Sequence, residues 1–347
     1  MLAPLELPIR DPSQVGDARR RALALARRAG LSETEAGRIG IVVNELGNNL
    51  LQHAGGGSLL VQWRTSGSRG CVFEVVSIDS GPGVADIDEC LADGHSTAGT
   101  PGNGLGAVRR LSTEFDAYSQ PGRGTIVVSR TVPSSGVAGA GGAPSADHTR
   151  NAPHWAAVSL PAPLETECGD AWAVSSDATT IRFMLADGLG HGPHAATAAR
   201  AVSDAFHADP GASPERFLAA AGRGAAGTRG AAVAAAQLTI ASDRVMFAGI
   251  GNISAAIVAP GSSRGMMSHS GIVGVQVRTI RQFEHSWPDD ALLVMHSDGL
   301  QTRWNLDDHP SLRRHDPMVV VAALLRDYRR GRDDVTVLVA SRRRAGR

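Results

Sequence analysis

Four acidic stations stand out in the second half of the sequence. They are Asp170 in Cys168-Gly169-Asp170, Asp187 in Asp187-Gly188-Leu189-Gly190-His191-Gly192, Asp298 in His296-Ser297-Asp298-Gly299, and the pair Asp333-Asp334. An isolated Asp-Gly is ordinarily a turn. Here Asp187 and Asp298 each end an apolar run, and Asp333-Asp334 begins one. Carboxylates brought together at strand ends repel one another unless cations neutralise them. Hard oxygen donors without Cys or His partners suit Mg²⁺ or Mn²⁺. Two such ions can share a water, lower its pKa and hold a phosphate for in-line attack. His191 and His194 stand three residues apart with no cysteine or third histidine beside them, so they read as loop residues and not zinc ligands.

The first half carries a different set. Asn44-Glu45 and Asn49 fall in one helical stretch, and Glu45 and Asn49, four apart, project from one face. The apolar run Cys71 to Ile78 leads into Asp79-Ser80-Gly81-Pro82-Gly83. Gly102-Asn103-Gly104-Leu105-Gly106 precedes a short helical stretch, and Gly122-Arg123-Gly124-Thr125 follows it. Glycines before a helix N-terminus let backbone N–H groups approach a phosphate. Each pattern alone is weak; in this order the combination is strong. His53 and His95 read as surface loop residues, and Asn48 as a capping or packing residue.

These side chains need elements to hold them. Ala18 to Ala29 reads as a helix stopped by Gly30. Ser32 and Glu35 have capping-box spacing and open a second helix, with Ile39, Val42, Val43, Leu46 and Leu50 at helical intervals and Gly55-Gly56-Gly57 at its end. Strands are expected at Ser58 to Trp63, Cys71 to Ile78 and Thr125 to Ser129, with a short helix near Ala107 to Leu111. The result is helices on one face of a mixed sheet. Pro133 to Ala146 is almost entirely Gly, Ala, Ser and Pro and reads as a linker, which places domains at 1–130 and 151–347 around a flexible 131–150. Beyond it, strands at Ile181 to Ala186, Ala291 to Met295 and Val335 to Ala340 alternate with helices at Ala195 to Phe206 and Pro214 to Ala221, suggesting two sheets flanked by helices. The fold class is therefore α/β (α+β) in two domains, which suits 347 residues.

Composition narrows the function classes. Lys plus Arg and Asp plus Glu are both 34, so no global field draws the chain to nucleic acid or anionic membrane. No apolar stretch approaches the ~18 residues of a membrane span, and no secretion leader opens the chain. Cys71, Cys90 and Cys168 form no framework, which fits a reducing cytoplasm.

Taken together, the first-half motifs resemble the GHKL ATP-binding superfamily over about residues 5–130, and within it the small anti-sigma switch serine kinases of the RsbT type. That resemblance implies ATP and Mg²⁺ as ligands. Asn49 would hold Mg²⁺, and Asp79 would accept from the adenine amino group. Gly81 and Gly83 would let the loop pass close to the base, Gly102, Gly104 and Gly106 would line the phosphates, and Leu105 and Thr125 would also belong to the nucleotide site. Glu45 would orient the attacking hydroxyl and take its proton. No dimerising hairpin with a phosphoacceptor histidine precedes these motifs, which speaks against a histidine kinase.

The second-half motifs resemble the PPM metal-dependent protein phosphatases, in their SpoIIE/RsbX-like bacterial branch, over about residues 152–342. An α-β-β-α sandwich and two Mn²⁺ or Mg²⁺ ions are implied. Asp187 would bridge both metals, with the Gly188 carbonyl on one. Asp298 and Asp333 would complete the other, and Asp170 would act through water. Asp333 is preferred to Asp334 because it takes the first place in the family's closing Asp-Asp/Asn-x-Thr pattern, whose Thr is Thr336. Gly251-Asn252 reads as a structural turn. The arginine that grips phosphate in eukaryotic relatives is missing from the start of this domain, which leaves phosphate recognition unassigned. The combination implies a bifunctional regulator, a kinase and a phosphatase acting on a small STAS-type antagonist or an anti-sigma or sigma regulator. The alternative is a first domain that binds ATP and sequesters a partner without catalysis. The oligomeric state is left open.

Overall fold

Ser32 starts the helix that carries the first-half residues. In a computed structural model of the chain, its Oγ accepts from Glu35 N (3.3 Å), while Glu35 Oε2 accepts from Ser32 N (2.9 Å). This closed capping box opens α2 (Glu33–Ala54), which ends at Gly55 in the left-handed region, φ 71. The structure describes residues 3–65, 71–91, 104–133 and 153–342. The chain divides into two compact units, Met1–Ala143 with Arg314–Arg326, and Pro144–Arg313 with Asp327–Arg347. Of the expected linker 131–150 only Thr131, Val132 and Pro133 are among the described residues, and Thr131 ends a strand.

In the first unit, α1 (Pro12–Arg28) begins earlier than the expected Ala18, because Asp11 caps it, accepting from Ser13 N and Gln14 N. The remaining elements are β1 (Leu5–Ile9), β2 (Gly57–Thr65), β3 (Cys71–Ile78), α3 (Ile87–Leu91), α4 (Gly104–Leu111), β4 (Glu114–Gln120) and β5 (Gly124–Thr131). The strands lie in the order β1-β2-β3-β5-β4. The expected helix-on-sheet layer is present, with one correction: all four pairings are antiparallel, not mixed. Alternation assigns the faces. Leu59, Val61, Phe73, Val75 and Val127 meet Ile39, Val43, Leu46 and Leu50 of α2 in one core.

The opposite face bears a buried polar ladder. Gln62 faces Glu74, and Glu74 faces Arg130, in adjacent register positions. Glu74 accepts from Gln62, Arg64 and Arg130 and is fully buried. Arg130 also makes a two-pronged pair with Asp316, Nη1–Oδ2 2.7 Å and Nη2–Oδ1 2.6 Å, within the same unit. Burial alone would raise the Glu74 pKa; the Arg64 and Arg130 guanidiniums outweigh it and hold the group at about 2. A carboxylate with a depressed folded pKa contributes stability above its unfolded value, lost as pH falls through the folded one. Glu74→Ala would leave two buried guanidiniums short of a counter-charge. We expect it to cost ~3–5 kcal/mol in denaturant titration at pH 7. The gap to wild type should narrow as pH falls from about 4.5 towards 2. An unchanged denaturation midpoint would contradict this.

The second unit begins with β6 (His154–Leu160), β7 (Asp170–Ser176), β8 (Thr180–Gly188), α5 (Pro193–Ala208) and α6 (Pro214–Gly224). Next come β9 (Ala231–Thr239), β10 (Arg244–Ile250), β11 (Ser254–Ala259), β12 (Ser262–Met266) and the two-residue strands β13 (Gly271–Ile272) and β14 (Gln276–Val277). β15 (Phe283–Ser286), β16 (Leu292–His296) and β17 (Val335–Ser341) complete the strands. Two five-stranded sheets form, β15-β10-β9-β8-β7 and β12-β11-β16-β17-β6. Their inner faces share a core that includes Trp155, Phe183, Leu185, Phe247, Ile257, Leu293 and Leu338. The outer face of the first sheet packs Met184, Val233 and Ala235 against Val202, Phe206, Phe217 and Leu218 of α5 and α6. Between β16 and β17 runs α7 (Pro317–Tyr328), whose residues through Arg326 count with the first unit. No helix of the described residues is long and apolar enough to cross a membrane.

Candidate functional site

Register assembles the acidic stations. β7 and β8 pair so that Asp170 stands opposite Asp187. In the other sheet Asp298 follows β16, and Asp333-Asp334 precede its neighbour β17. Ser297 ties the two sheets at this end: its Oγ donates to Asp170 Oδ2 (2.6 Å) and accepts from Thr336 N (2.9 Å). Asn252 Nδ2 donates to Asp298 Oδ2 at 2.8 Å. Asp334 has a separate task. It is buried and accepts from Ala162 N (2.8 Å) and Gly169 N (2.9 Å), clamping the loop that leads into Asp170. Asp333 accepts the Asp334 N–H at 2.9 Å.

Burial raises the Asp170, Asp187, Asp298 and Asp334 carboxyls, and neighbouring charges add to it. Asp187 is pushed up to about 9 by burial together with the charges of Asp170, Asp298, Asp333 and Asp334. Asp170 is pushed up to about 7 by burial, against the pull of the Ser297 and Thr336 hydrogen bonds. Asp298 is raised by burial and by Asp333, while Arg330 and Asn252 oppose the shift.

This donor set fits a hard divalent cation. Asp170 Oδ1 is buried without a hydrogen-bond partner. Two carboxylates face each other across one strand pair, an arrangement that costs free energy unless a cation intervenes. All the donors are oxygens. Among the described residues no three His, Cys, Asp or Glu side chains already close into a ligand shell. His191 instead pairs with Glu165, Nδ1–Oε1 2.7 Å. Sequence reasoning missed Ser297 and assigned Asn252 only to a turn. A serine before Asp298 and an asparagine after Gly251 carry no local signal, because the groups they hold come from other strands.

In the first unit Asp79 follows β3 and is largely buried. Its Oδ1 accepts from Gly81 N (2.8 Å) and Thr125 N (3.1 Å), and its own N–H donates to Thr125 O (3.1 Å). Both side-chain bonds fall on Oδ1, which leaves Oδ2 to accept from a ligand. Burial raises the Asp79 pKa, and the two amides and Arg326 oppose it. Gly83 has φ 64, and a Cβ there would lie 2.2 Å from Gln120 O, so no other residue fits this turn. Glu45 and Asn49 lie half-buried on α2. A Cβ built on Gly104 would sit 3.4 Å from Asn49 Oδ1, which places the start of α4 beside that side chain. Leu105 and Gly106 are half-buried in the first turn of α4. Gly102 and His95 lie outside the described residues. Thr125, expected in the nucleotide site, positions Asp79 through its backbone and pairs its hydroxyl with Ser119 at 2.9 Å.

Comparison with known proteins finds two families, one in each half of the chain. Residues 10–130 match the histidine kinase-like ATPase domain family, and residues 177–343 match the family of stage II sporulation protein E (SpoIIE). The serine/threonine-protein kinase RsbT of Bacillus subtilis (strain 168) is 35% identical over 104 residues, 30% of this chain and 77% of that protein. A solved chain described as "The bacterial stressosome: a modular system that has been adapted to control secondary messenger signaling" is similar at 26% identity and a TM-score of 0.50, over 55% of this chain and 99% of that one. RsbX in complex with magnesium is similar at 18% identity and a TM-score of 0.47, over 54% of this chain and 94% of that one. Through its first domain the chain belongs to the RsbT-like histidine kinase-like ATPase family, and in the same polypeptide residues 177–343 match the SpoIIE family.

Proposed function

We propose that this chain sets the phosphorylation state of a small STAS-type antagonist or an anti-sigma regulator from both directions. The first domain, residues 1–130, binds ATP·Mg and transfers the γ-phosphoryl group to a serine or threonine. The second, residues 151–347, removes it with Mn²⁺ or Mg²⁺. The observation that carries the phosphatase half is the facing pair Asp170–Asp187, with Asp170 Oδ1 buried and unpartnered. Asp187, the Gly188 carbonyl, Asp298 and Asp333 would hold two divalent ions, with Asp170 reaching one through water. Bound there, such ions neutralise phosphate charge and lower the pKa of a water. The protein's part is orientation. Asn252 fixes one oxygen of Asp298, Ser297 fixes one of Asp170, and Asp334 pins the loop before Asp170.

In the kinase half, Asp79 would take the adenine amino group on Oδ2, Asn49 the Mg²⁺, and Glu45 the proton of the attacking hydroxyl. Gly81 and Gly83 would flank the base, and Gly102, Gly104, Leu105 and Gly106 the phosphates. A sequestering first domain is not favoured, since the matched relative over this region is a serine/threonine kinase and Glu45 stands one turn from Asn49. Cys71, Cys90 and Cys168 are free, which supports a cytoplasmic setting. The test uses the full chain. Hydrolysis of p-nitrophenyl phosphate should require Mn²⁺ or Mg²⁺ and stop on chelation. The metal should also raise the melting temperature, because it binds the native state alone. Hydrolysis that persists after chelation would overturn the phosphatase reading.

A further inference from the structure

The PPM reading leaves open what grips the substrate's phosphoryl group on the protein side. A phosphate monoester is a dianion, and the carboxylates of this site repel it wherever metal does not cover them. A cationic fork aimed at the same place would offset that repulsion and fix the orientation of the group.

The arginines around the second-unit site divide by what they already hold. Arg329 donates to Pro161 O, and Arg330 donates to Leu300 O while its charge acts on Asp298. Arg200 pairs with Glu167 at 3.3 Å. Arg229 differs from these. It is exposed and has no hydrogen-bond or ion-pair partner among the described residues. It stands two residues before β9, the strand that pairs with β8 so that Ala231 faces Gly188 and Ala232 faces Asp187. Leu189 N donates to Gly230 O at 3.0 Å, which fastens the Asp187-Gly-Leu-Gly turn to the residue after Arg229.

The guanidinium lies against that turn. A Cβ built on Gly190 would come within 3.3 Å of Arg229 Nη1, and Gly190 has φ 87. A side chain at 190 would be strained and would also press on the guanidinium. The guanidinium thus lies beside the turn that carries Asp187 with no hydrogen bond or ion pair to a carboxylate among the described residues, so its donors stay available to a ligand.

We propose that Arg229 binds the phosphoryl oxygens of the substrate, a phosphoserine or phosphothreonine side chain, at the second-unit site. This rests on the phosphatase reading above. Arg229 touches substrate and releases no proton; it takes no part in bond making.

The test compares wild type, Arg229→Ala and Arg229→Lys in the full chain with Mg²⁺ present. Calorimetry with inorganic phosphate reads binding directly, and p-nitrophenyl phosphate kinetics read KM and kcat. Loss of a charge-assisted fork should weaken phosphate binding and raise KM by about tenfold or more in Arg229→Ala. Arg229→Lys should fall between, keeping the charge but not the two-pronged geometry. The Mg²⁺-induced rise in melting temperature should be the same in all three proteins. Phosphate affinity in Arg229→Ala within twofold of wild type would overturn the proposal. So would a lost Mg²⁺ stabilisation in that variant, since Arg229 would then serve the turn and not the substrate. If wild type binds phosphate but hydrolyses no ester, the phosphatase reading fails while the Arg229 comparison still decides between these outcomes.

Discussion

Asp187→Asn is expected to abolish metal-dependent ester hydrolysis, lowering kcat by the several orders of magnitude, roughly 10⁴-fold or more, that metal activation supplies. The substitution preserves volume and shape, so the strand pairing of Asp187 with Asp170 and Ala232 should survive. What disappears is the charge. Burial and the charges of Asp170, Asp298, Asp333 and Asp334 all push the Asp187 carboxyl upward, so this position feels the whole cluster. As the ligand expected to bridge both ions, its loss should empty both positions. A second readout separates this from misfolding. Without divalent ions the buried Asp187 charge is unfavourable, so the Asn variant should melt at a higher temperature than wild type at neutral pH, and it should gain little when Mn²⁺ is added. Asp298→Asn should follow it closely in lost turnover, then Asp333→Asn. Asp170→Asn should cost less, because Asp170 is expected to act through water. Asp334→Asn belongs to another class: it disturbs the clamp on Ala162 and Gly169 and should show in stability before it shows in rate. A variant at 187 with normal turnover, or one that is destabilised without metal, would defeat this account.

The parts of the architecture that could be read in the sequence are those whose signals are local. The capping box at Ser32 and the helical spacing through Leu50 locate α2, and with it Glu45 and Asn49. Apolar runs ending at Asp187 and Asp298 locate two stations, because a strand end is where a chain leaves the sheet. The strand β9 was illegible for the opposite reason. Its sequence, Ala-Ala-Val-Ala-Ala-Ala-Gln-Leu-Thr, has strong helix propensity, yet it is a central strand. Small side chains there are what packing requires, since one face meets α5 and α6 and the other meets the second sheet. Long-range pairings were equally silent. Nothing near Asp316 announces that it joins the buried ladder through Arg130, and nothing near Ser297 announces Asp170. An acidic or hydroxylic residue reads as solvated until the partner that desolvates it is known.

Glu45→Gln is expected to leave ATP binding within about twofold of wild type and to lower phosphoryl transfer to a STAS-type partner by roughly 10²–10⁴-fold, the range a positioned general base supplies. The amide keeps the size of the carboxylate and has nearly the same helix propensity, so α2 and its packing through Leu46 and Leu50 should be untouched. It cannot accept a proton. Position makes the argument sharper. Glu45 precedes Asn49 by four residues on α2, and Asn49 Oδ1 backs onto Gly104 at the start of α4. A metal held by Asn49 at the phosphates would therefore sit within one helical turn of the Glu45 carboxylate, the separation at which a hydroxyl between them could be deprotonated as it attacks. Asn49→Ala should behave differently, weakening nucleotide binding and transfer together through loss of the Mg²⁺ ligand. Calorimetry with ATP·Mg and a phosphate-affinity gel of the partner read the two quantities separately. Normal transfer by Glu45→Gln would remove this residue from the chemistry. Absence of transfer in wild type with intact ATP binding would instead make the first domain a nucleotide-gated sequestering module, and the opposing activity would have to come from another chain.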